Sequence, residues 1–358
     1  MTDGKTGGAG GRAAGILRAM HIAVDPYDPT DEAALDEAYR IVAAAQAVDV
    51  PDVPVGDRAE FGRVAAHPPY GNVVLTALAR RDGDAVGYLW IRLPQLDNTG
   101  NASVELVVDP AHRRQGVGRV LLGYARRVAA EHGRKRLIAE TTDGLPGESA
   151  SPAPGAAFAA AAGARPALPD VRRRLDTTRL DHTSLAALHD MARSRAAGYR
   201  TVAWVGAVAE EYVADIARLE GRLFADAPTG ELVVEAEKVD AKRFREMERI
   251  RALRGRRRYH LGAVHEATGR MVAWTMIDMG PSATWYASQE ITIVDPEHRG
   301  HRLGLLIKVE NLRHALAHEP ALRAIDTWNA AANDHMITIN EQLGFRPVNA
   351  GASWQLTI

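Results

Sequence analysis

The segment VELVVDPAHRRQGVG, residues 104–118, returns as EITIVDPEHRGHRLG, residues 290–304. Aligning Asp109-Pro110 with Asp295-Pro296 sets His112 on His298, Arg113 on Arg299 and Gly118 on Gly304, 186 positions on. Each copy is a β-rich run that ends in a basic, glycine-containing turn. An apolar run of helical period follows, in the second copy Leu303, Leu305, Leu306, Ile307, Val309, Leu312 and Leu316. Strand, turn and helix in that order gather free backbone N–H groups and a positive dipole end at one point. Such a point suits a phosphate or diphosphate. A chain carrying this device twice is one unit written twice.

Length agrees. At 358 residues the chain is too long for one core and suits two domains of about 150–200 residues each. The expected division is a disordered Gly/Ala-rich tail at 1–18, a first domain at 19–176, a connecting helix at 177–198 and a second domain at 199–358. The formal net charge is −1, so nothing in the balance calls for nucleic acid or an anionic membrane. Without a single cysteine, disulfide scaffolds, thiolate metal sites and cysteine nucleophiles are excluded. The histidines His260, His265, His298 and His301 lack metal-type spacing, so no metal site is expected. The N-terminus has no apolar core behind a charged start, and the expected location is the cytoplasm.

Periodicity and punctuation give the same order of elements in each half, β-α-α-β-β-β-α-β-α-β, a mixed α/β (α+β) class. In the first half this includes helices at 31–48 and 57–66, strands at 73–79, 85–93 and 102–108, and a Gly/Pro/Ser loop at 144–155. In the second it includes helices at 208–223 and 240–253, strands at 259–265, 271–278 and 285–294, and a helix at 334–343.

Both turns resemble the acyl-CoA-binding signature of the GNAT (Gcn5-related N-acetyltransferase) superfamily, R/Q-x-x-G-x-G/A after a strand ending V-x-P. The first copy matches throughout, from Val108-Asp109-Pro110 to Arg113-Arg114-Gln115-Gly116-Val117-Gly118. The second, Arg299-Gly300-His301-Arg302-Leu303-Gly304, departs at Arg302, where glycine is usual and a cation is added. LGF-like elements follow at Ala161–Ala164 and Gln342–Phe345. The resemblance covers residues 19–358 as two GNAT units in tandem, a layout similar to that of mycothiol synthases and actinobacterial small-molecule acetyltransferases.

The resemblance implies an acetyl-CoA-dependent transferase whose turns cradle the diphosphate. It also implies a splayed strand whose backbone, Ile293-Val294 or Val107-Val108 in the first half, binds the pantetheine arm and thioester. Asn333, eleven residues before Gly344, matches the asparagine that holds pantetheine, with Asn329 beside it. The same count back from Gly163 gives Pro152, so the first half has no matching amide. The tyrosine that protonates the leaving thiolate is replaced by Asn340, and by Ala159 in the first half. An amide can donate a hydrogen bond there but delivers no proton. Glu290 is the expected base and Glu105 its analogue. They stand six and five residues before their prolines, which puts them on opposite faces unless a bulge intervenes.

These features favour chemistry in the second half, on a primary amine of a small molecule. The alternatives are a mycothiol-synthase-like acetyltransferase and a non-catalytic acyl-CoA-binding or regulatory protein. A monomer built as a pseudo-dimer and a homodimer are both compatible. Plain structural readings stand beside the functional ones. Asn333 suits a helix N-cap. The basic run 249–258 suits a solvated helix C-terminus. Trp204, Trp274, Trp285 and Trp328 suit the core or a sheet face, with Trp285 or Trp328 able to wall an acceptor pocket.

Overall fold

The computed structural model describes residues 22–147 and 153–358. The expected tail, residues 19–21 of the first expected strand and residues 148–152 of the Gly/Pro/Ser loop lie outside them. In the first half the elements are β1 (Ile22–Pro26), α1 (Glu32–Asp49), α2 (Arg58–Ala66), β2 (Asn72–Arg81), β3 (Asp84–Pro94), β4 (Asn101–Val108), α3 (Val117–Glu131), β5 (Arg136–Asp143), α4 (Pro154–Ala161) and β6 (Arg165–Asp176). After α5 (His182–Ser194) come β7 (Tyr199–Val205), α6 (Val213–Gly221), α7 (Leu223–Asp226), α8 (Ala241–Leu253), β8 (Arg257–His265), β9 (Met271–Met279), β10 (Tyr286–Val294), α9 (Leu303–His318), β11 (Ala324–Ala330), α10 (Asp334–Gln342) and β12 (Arg346–Thr357). The order expected twice is found twice. One expected helix, 208–223, is broken into a 3₁₀ turn, α6 and α7. At Gly221, the end of α6, a Cβ would lie 2.9 Å from the Glu237 carbonyl, so a crossing chain requires glycine there.

All twelve strands form one sheet, in the order β1-β2-β3-β4-β5-β12-β6-β11-β10-β9-β8-β7. Among the described residues only β4–β5 and β10–β11 pair in parallel. The centre of the sheet is an exchange. The last strand of the chain, β12, lies against β5 of the first half from Arg136↔Thr357 to Asp143↔Ala350. Conversely, β6 lies against β11 of the second half from Asp176↔Ala324 to Asp170↔Ala330. The two exchanged strands pair with each other at the middle.

Helices cover both faces. In the first half α1 packs Ala34, Ala38 and Ile41 against Leu78 and Tyr88, and α3 packs Val117, Leu121 and Ala125 against Ala79 and Leu89 on the other face. In the second half α6 and α8 bring Ile216 and Phe244 to Met271 and Trp274, while α9 brings Leu306, Val309 and Leu312 to Ala263 and Ile277. The period of α9 suggests one apolar stripe, yet residues 303–309 are all buried. The reason is α5, which lays Leu185 and Ala192 over the face that water would otherwise reach.

Each half also reaches across to the other. The α2 helix sends Glu60 to Ser282 Oγ, at 2.6 Å, and the loop before it holds Arg172 and Arg174 of the exchanged β6 through Asp52, at 2.7 and 3.0 Å. The chain between α7 and α8 returns the contact. Glu235 exchanges hydrogen bonds with Asn98, and the Val233 carbonyl accepts from Asn101 at 2.8 Å.

Candidate active site

The parallel pairing of β10 with β11 lasts only from Tyr286↔Ala324 to Ser288↔Asp326. Beyond it β11 stays with β6 and β10 stays with β9, so the two strands part. The same happens after Ser103↔Ile138 in the first half. Each opening points at a strand end, Val294 or Val108, and at the turn behind it.

The turns are built alike. Asp109 and Asp295 cap a 3₁₀ turn through Ala111 N–H and Glu297 N–H, and each is held from behind by an arginine, Arg40 or Arg218. Arg113 and Arg299 each donate from Nε to a strand-end carbonyl, Val108 at 3.3 Å and Val294 at 3.4 Å. Two positions in each turn are left-handed: Arg114 (φ +62°) and Gly116 (φ +89°) in the first, Gly300 (φ +89°) and Arg302 (φ +55°) in the second. The glycine has changed places while the backbone has not. Arg302 therefore holds a conformation that costs an L-residue about 1–2 kcal/mol. At Gly116 and Gly300 a Cβ would meet nothing within 4 Å. Gly118 sits between Phe158 and Val108, and Gly304 between Ile339 and Val294, with a Cβ at 3.4–3.7 Å from them.

A diphosphate fits this arrangement. The first helical hydrogen bond of α9 runs from Leu306 N–H to the Arg302 carbonyl, and the N–H groups before it have no intrahelical acceptor. His301, Arg302 and Gly300 are exposed, and buried Leu303 anchors the helix start. The two turns differ in how far their first cation is already spent. Arg113 makes two bonds to Asp49, at 2.7 and 2.6 Å. Arg299 is more open, with one contact to Asp226 at 3.2 Å. Gln115 is bonded to Arg81, and Val117 is buried at the start of α3.

Glu290 lies at a β-bulge. The β9–β10 register passes from Gln289↔Ile277 to Thr292↔Thr275, three residues against two, whereas Trp90↔Glu105 sits in an unbroken ladder. The extra residue accounts for the spacing of six against five, so the two carboxylates occupy equivalent faces. Each is open to solvent yet ringed by protein atoms, on the floor of a cleft. Burial, then the neighbouring charge of Asp278, raises the Glu290 carboxyl above its ordinary range, and Arg256 opposes this. Burial and Glu140 likewise raise Glu105. A pocket runs along Ser288, Tyr286 and Trp285 to Asp278 and Arg256, the two groups whose charges act on Glu290, and its far wall is Glu60 with residues 54–56 of the first half.

The amides occupy plainer positions. Asn333 caps α10, accepting from Met336 N–H at 3.3 Å. Asn340 is fully buried and donates to Asn329 Oδ1 at 2.7 Å, while its own Oδ1 has no partner. Ile293 is buried, and Val294, Val107 and Val108 are half-buried at the strand ends. Of the tryptophans, Trp274 is core, Trp285 lines the pocket and Trp328 is exposed.

Two readings of the sequence change in three dimensions. The basic run is not a solvated cap: Arg251 meets Glu220, Arg256 meets Asp278, Arg257 meets Glu319 and Arg258 is buried. Two of the histidines without metal-type spacing come together, since His265 and His298 lie in tilted contact with ring centroids 4.8 Å apart and the Tyr199 hydroxyl shares a hydrogen bond with His298 Nδ1 at 2.8 Å. Glu60, Arg256 and Asp278 line the pocket although no motif in the sequence marks them. The spacing discrepancy at Glu290 was the one signal nearby.

Comparison with known proteins agrees with this geometry. Residues 32–146 match the acetyltransferase (GNAT) family. A mycothiol acetyltransferase of Geodermatophilus obscurus is 37% identical over 108 residues, 30% of this chain and 32% of that protein, so the match spans about a third of the relative's length. A tandem GNAT protein from the clavulanic acid biosynthesis pathway, solved without acetyl-CoA, superposes with a TM-score of 0.81 and 32% identity, covering 94% of this chain and 98% of its own. A GCN5-related N-acetyltransferase from Sphaerobacter thermophilus shares the fold, with a TM-score of 0.61 at 15% identity over 94% of this chain and 95% of its own.

Proposed function

Since this chain belongs to the GNAT acetyltransferases, in their tandem form, we propose that its second half transfers an acetyl group from acetyl-CoA to a primary amine of a small molecule. The observation that carries this reading is the bulge in β10, which sets Glu290 on the cleft floor where the strands part, beside a pocket with room for an acceptor. The donor, when bound, supplies the thioester carbonyl that the amine attacks.

The chain's own groups do the rest. The N–H groups of residues 300–304, with Arg299 and Arg302, hold the diphosphate. The free edge of β10 at Ile293-Val294 aligns the pantetheine arm, and Asn333 and Asn329 lie on the opposite side of the opening. Glu290 takes the proton from the acceptor ammonium. Burial and Asp278 raise this carboxyl, which makes its ionised form a stronger base than an ordinary carboxylate. Asn340, sealed beneath Asn329, stiffens that wall and moves no proton. The first half holds its turn in the same shape and acts as scaffold, its Arg113 committed to Asp49.

Chemistry in the first half is the second reading, favoured by the family match over residues 32–146 and by Glu105 on its own cleft floor. Steady-state assays of Glu290→Gln and Glu105→Gln with acetyl-CoA decide between them. The proposal expects kcat to fall about 10²–10⁴-fold in the first variant and to stay near the parent value in the second. The reverse pattern overturns it.

A further inference from the structure

The pocket beside Glu290 is closed by a helix from the other half. Glu60, on α2, reaches Ser282 Oγ at 2.6 Å and stands 3.5 Å from Arg256 Nη1, across 196 residues of sequence. Its seat is built for it. The Asp57 N–H donates to Ser282 Oγ at 3.4 Å, and Arg254 donates to the His67 carbonyl at 2.9 Å. At Gly280 a Cβ would fall 2.6 Å from Glu60 Oε1, so only glycine leaves the carboxylate its place.

The lining of this pocket is acidic by one charge, while Arg258 acts on Asp278 and Arg251 on Glu290 from outside it. Among the described residues Arg256 is the one cation lining the pocket, and it already donates from Nε to Asp278 Oδ2 at 3.0 Å. It faces two carboxylates, Glu60 and Asp278, and Glu290 lies next along the cleft. The other oxygen of Asp278, Oδ1, is buried and has no donor. A buried carboxylate oxygen without a donor is a vacancy for an N–H or O–H group.

We propose that Glu60 is a specificity-determining residue of the second half's acceptor pocket, selecting amines that carry a second cationic group and rejecting those that carry a carboxylate. This rests on the acceptor site proposed above. One ammonium meets Glu290 and gives up its proton there. The second positive group lies between Glu60 and the free oxygen of Asp278, where it restores neutrality around Arg256. A carboxylate in the same place meets two like charges, with a guanidinium that is already engaged.

Two probes of equal length test this by titration calorimetry on the full chain: 1,5-diaminopentane and 5-aminopentanoate. The expected result is that the diamine binds at least about tenfold more tightly than the amino acid, and that Glu60→Gln removes most of that margin with Tm unchanged. Ser282→Ala, which keeps the charge and removes only its hydroxyl partner, preserves the margin. Equal binding, preference for 5-aminopentanoate, or failure of both to bind overturns the proposal. So does a margin unaltered in folded Glu60→Gln. Should that variant not fold, the margin in the parent chain and its collapse with added salt decide the matter. Acetyl-CoA titration in the same preparation separates failure of this selectivity from failure of the acetyltransferase site itself.

Discussion

The carboxylate of Asp326 on β11 accepts two hydrogen bonds from the guanidinium of Arg174 on β6, at 2.6 and 2.8 Å, although β6 follows the first half's α4 and β11 the second half's α9. Arg172 adds a third at 2.8 Å, Tyr286 a fourth at 3.0 Å, and Asp52 neutralises the second arginine from outside. Asp326 is wholly buried, and these four donors offset the cost of taking a carboxylate out of water. The pairing sits where the exchanged strands meet and ties the halves into one sheet.

Removing Asp326 therefore leaves Arg174 and Arg172 with Asp52 and, for Arg172, the Asn349 amide oxygen. Asp326→Ala is expected to lose about 3 kcal/mol of stability, the lower end for a broken buried pair because Asp52 remains. Urea unfolding by circular dichroism checks this. The transition should stay single, since neither half keeps its own last strand.

Glu290 gives the pH prediction. Its carboxyl is raised by burial and by Asp278, and only the ionised form accepts a proton. Activity at low substrate should therefore rise with pH through a value above the ordinary carboxylate range and level off beyond it. Replacing Asp278 by Asn removes the neighbouring negative charge, lowers the Glu290 carboxyl and moves that limb to lower pH. A profile of kcat/KM against pH for parent and Asp278→Asn reads the shift directly. An unmoved limb would separate the profile from this carboxylate.

Arg302 makes two opposed contributions. Its left-handed backbone costs about 1–2 kcal/mol, while its charge faces the place where a diphosphate would bind. Arg302→Gly relieves the strain but gives the unfolded chain more freedom, worth about 0.4–1 kcal/mol the other way, so Tm should hardly move. Acetyl-CoA affinity should fall about three- to tenfold at low salt and less in high salt, as befits an exposed cation. Calorimetry at two ionic strengths measures it.

The duplicated motif made the fold legible, because a strand, a basic turn and a helix repeated at constant spacing admit few arrangements. Even the bulge at Glu290 was visible as one residue too many before Pro296. The exchange of β6 and β12 was not legible. Alternation along a strand reports which side is buried, never which neighbour supplies the hydrogen bonds. The pocket wall was hidden for a related reason. Glu60 stands on a short helix without a buried residue of its own, and nothing in its spacing points to Arg256 in the other half. The arginine run misled because composition shows charge but not the acids that fold onto it.

Lys308 yields the last prediction. It is 2% exposed on α9, between sheet and α5, with its ammonium 5.5 Å from the centre of the Phe345 ring. Burial lowers its pKa from 10.5 to about 7. The unfolded chain thus binds this proton across a range where the folded chain has released it, and stability should rise as pH climbs from about 7 toward 10.5. Below about 7 both states are protonated and the penalty is constant. The first half has Leu122 at the matching position of α3, so an apolar side chain suits the site. Lys308→Met should gain roughly 2–4 kcal/mol at neutral pH and flatten the dependence between neutral and alkaline pH. Urea midpoints of parent and variant at pH near 7 and near 10 test both parts at once, and a gain that persists undiminished at the higher pH would assign it to packing instead of charge.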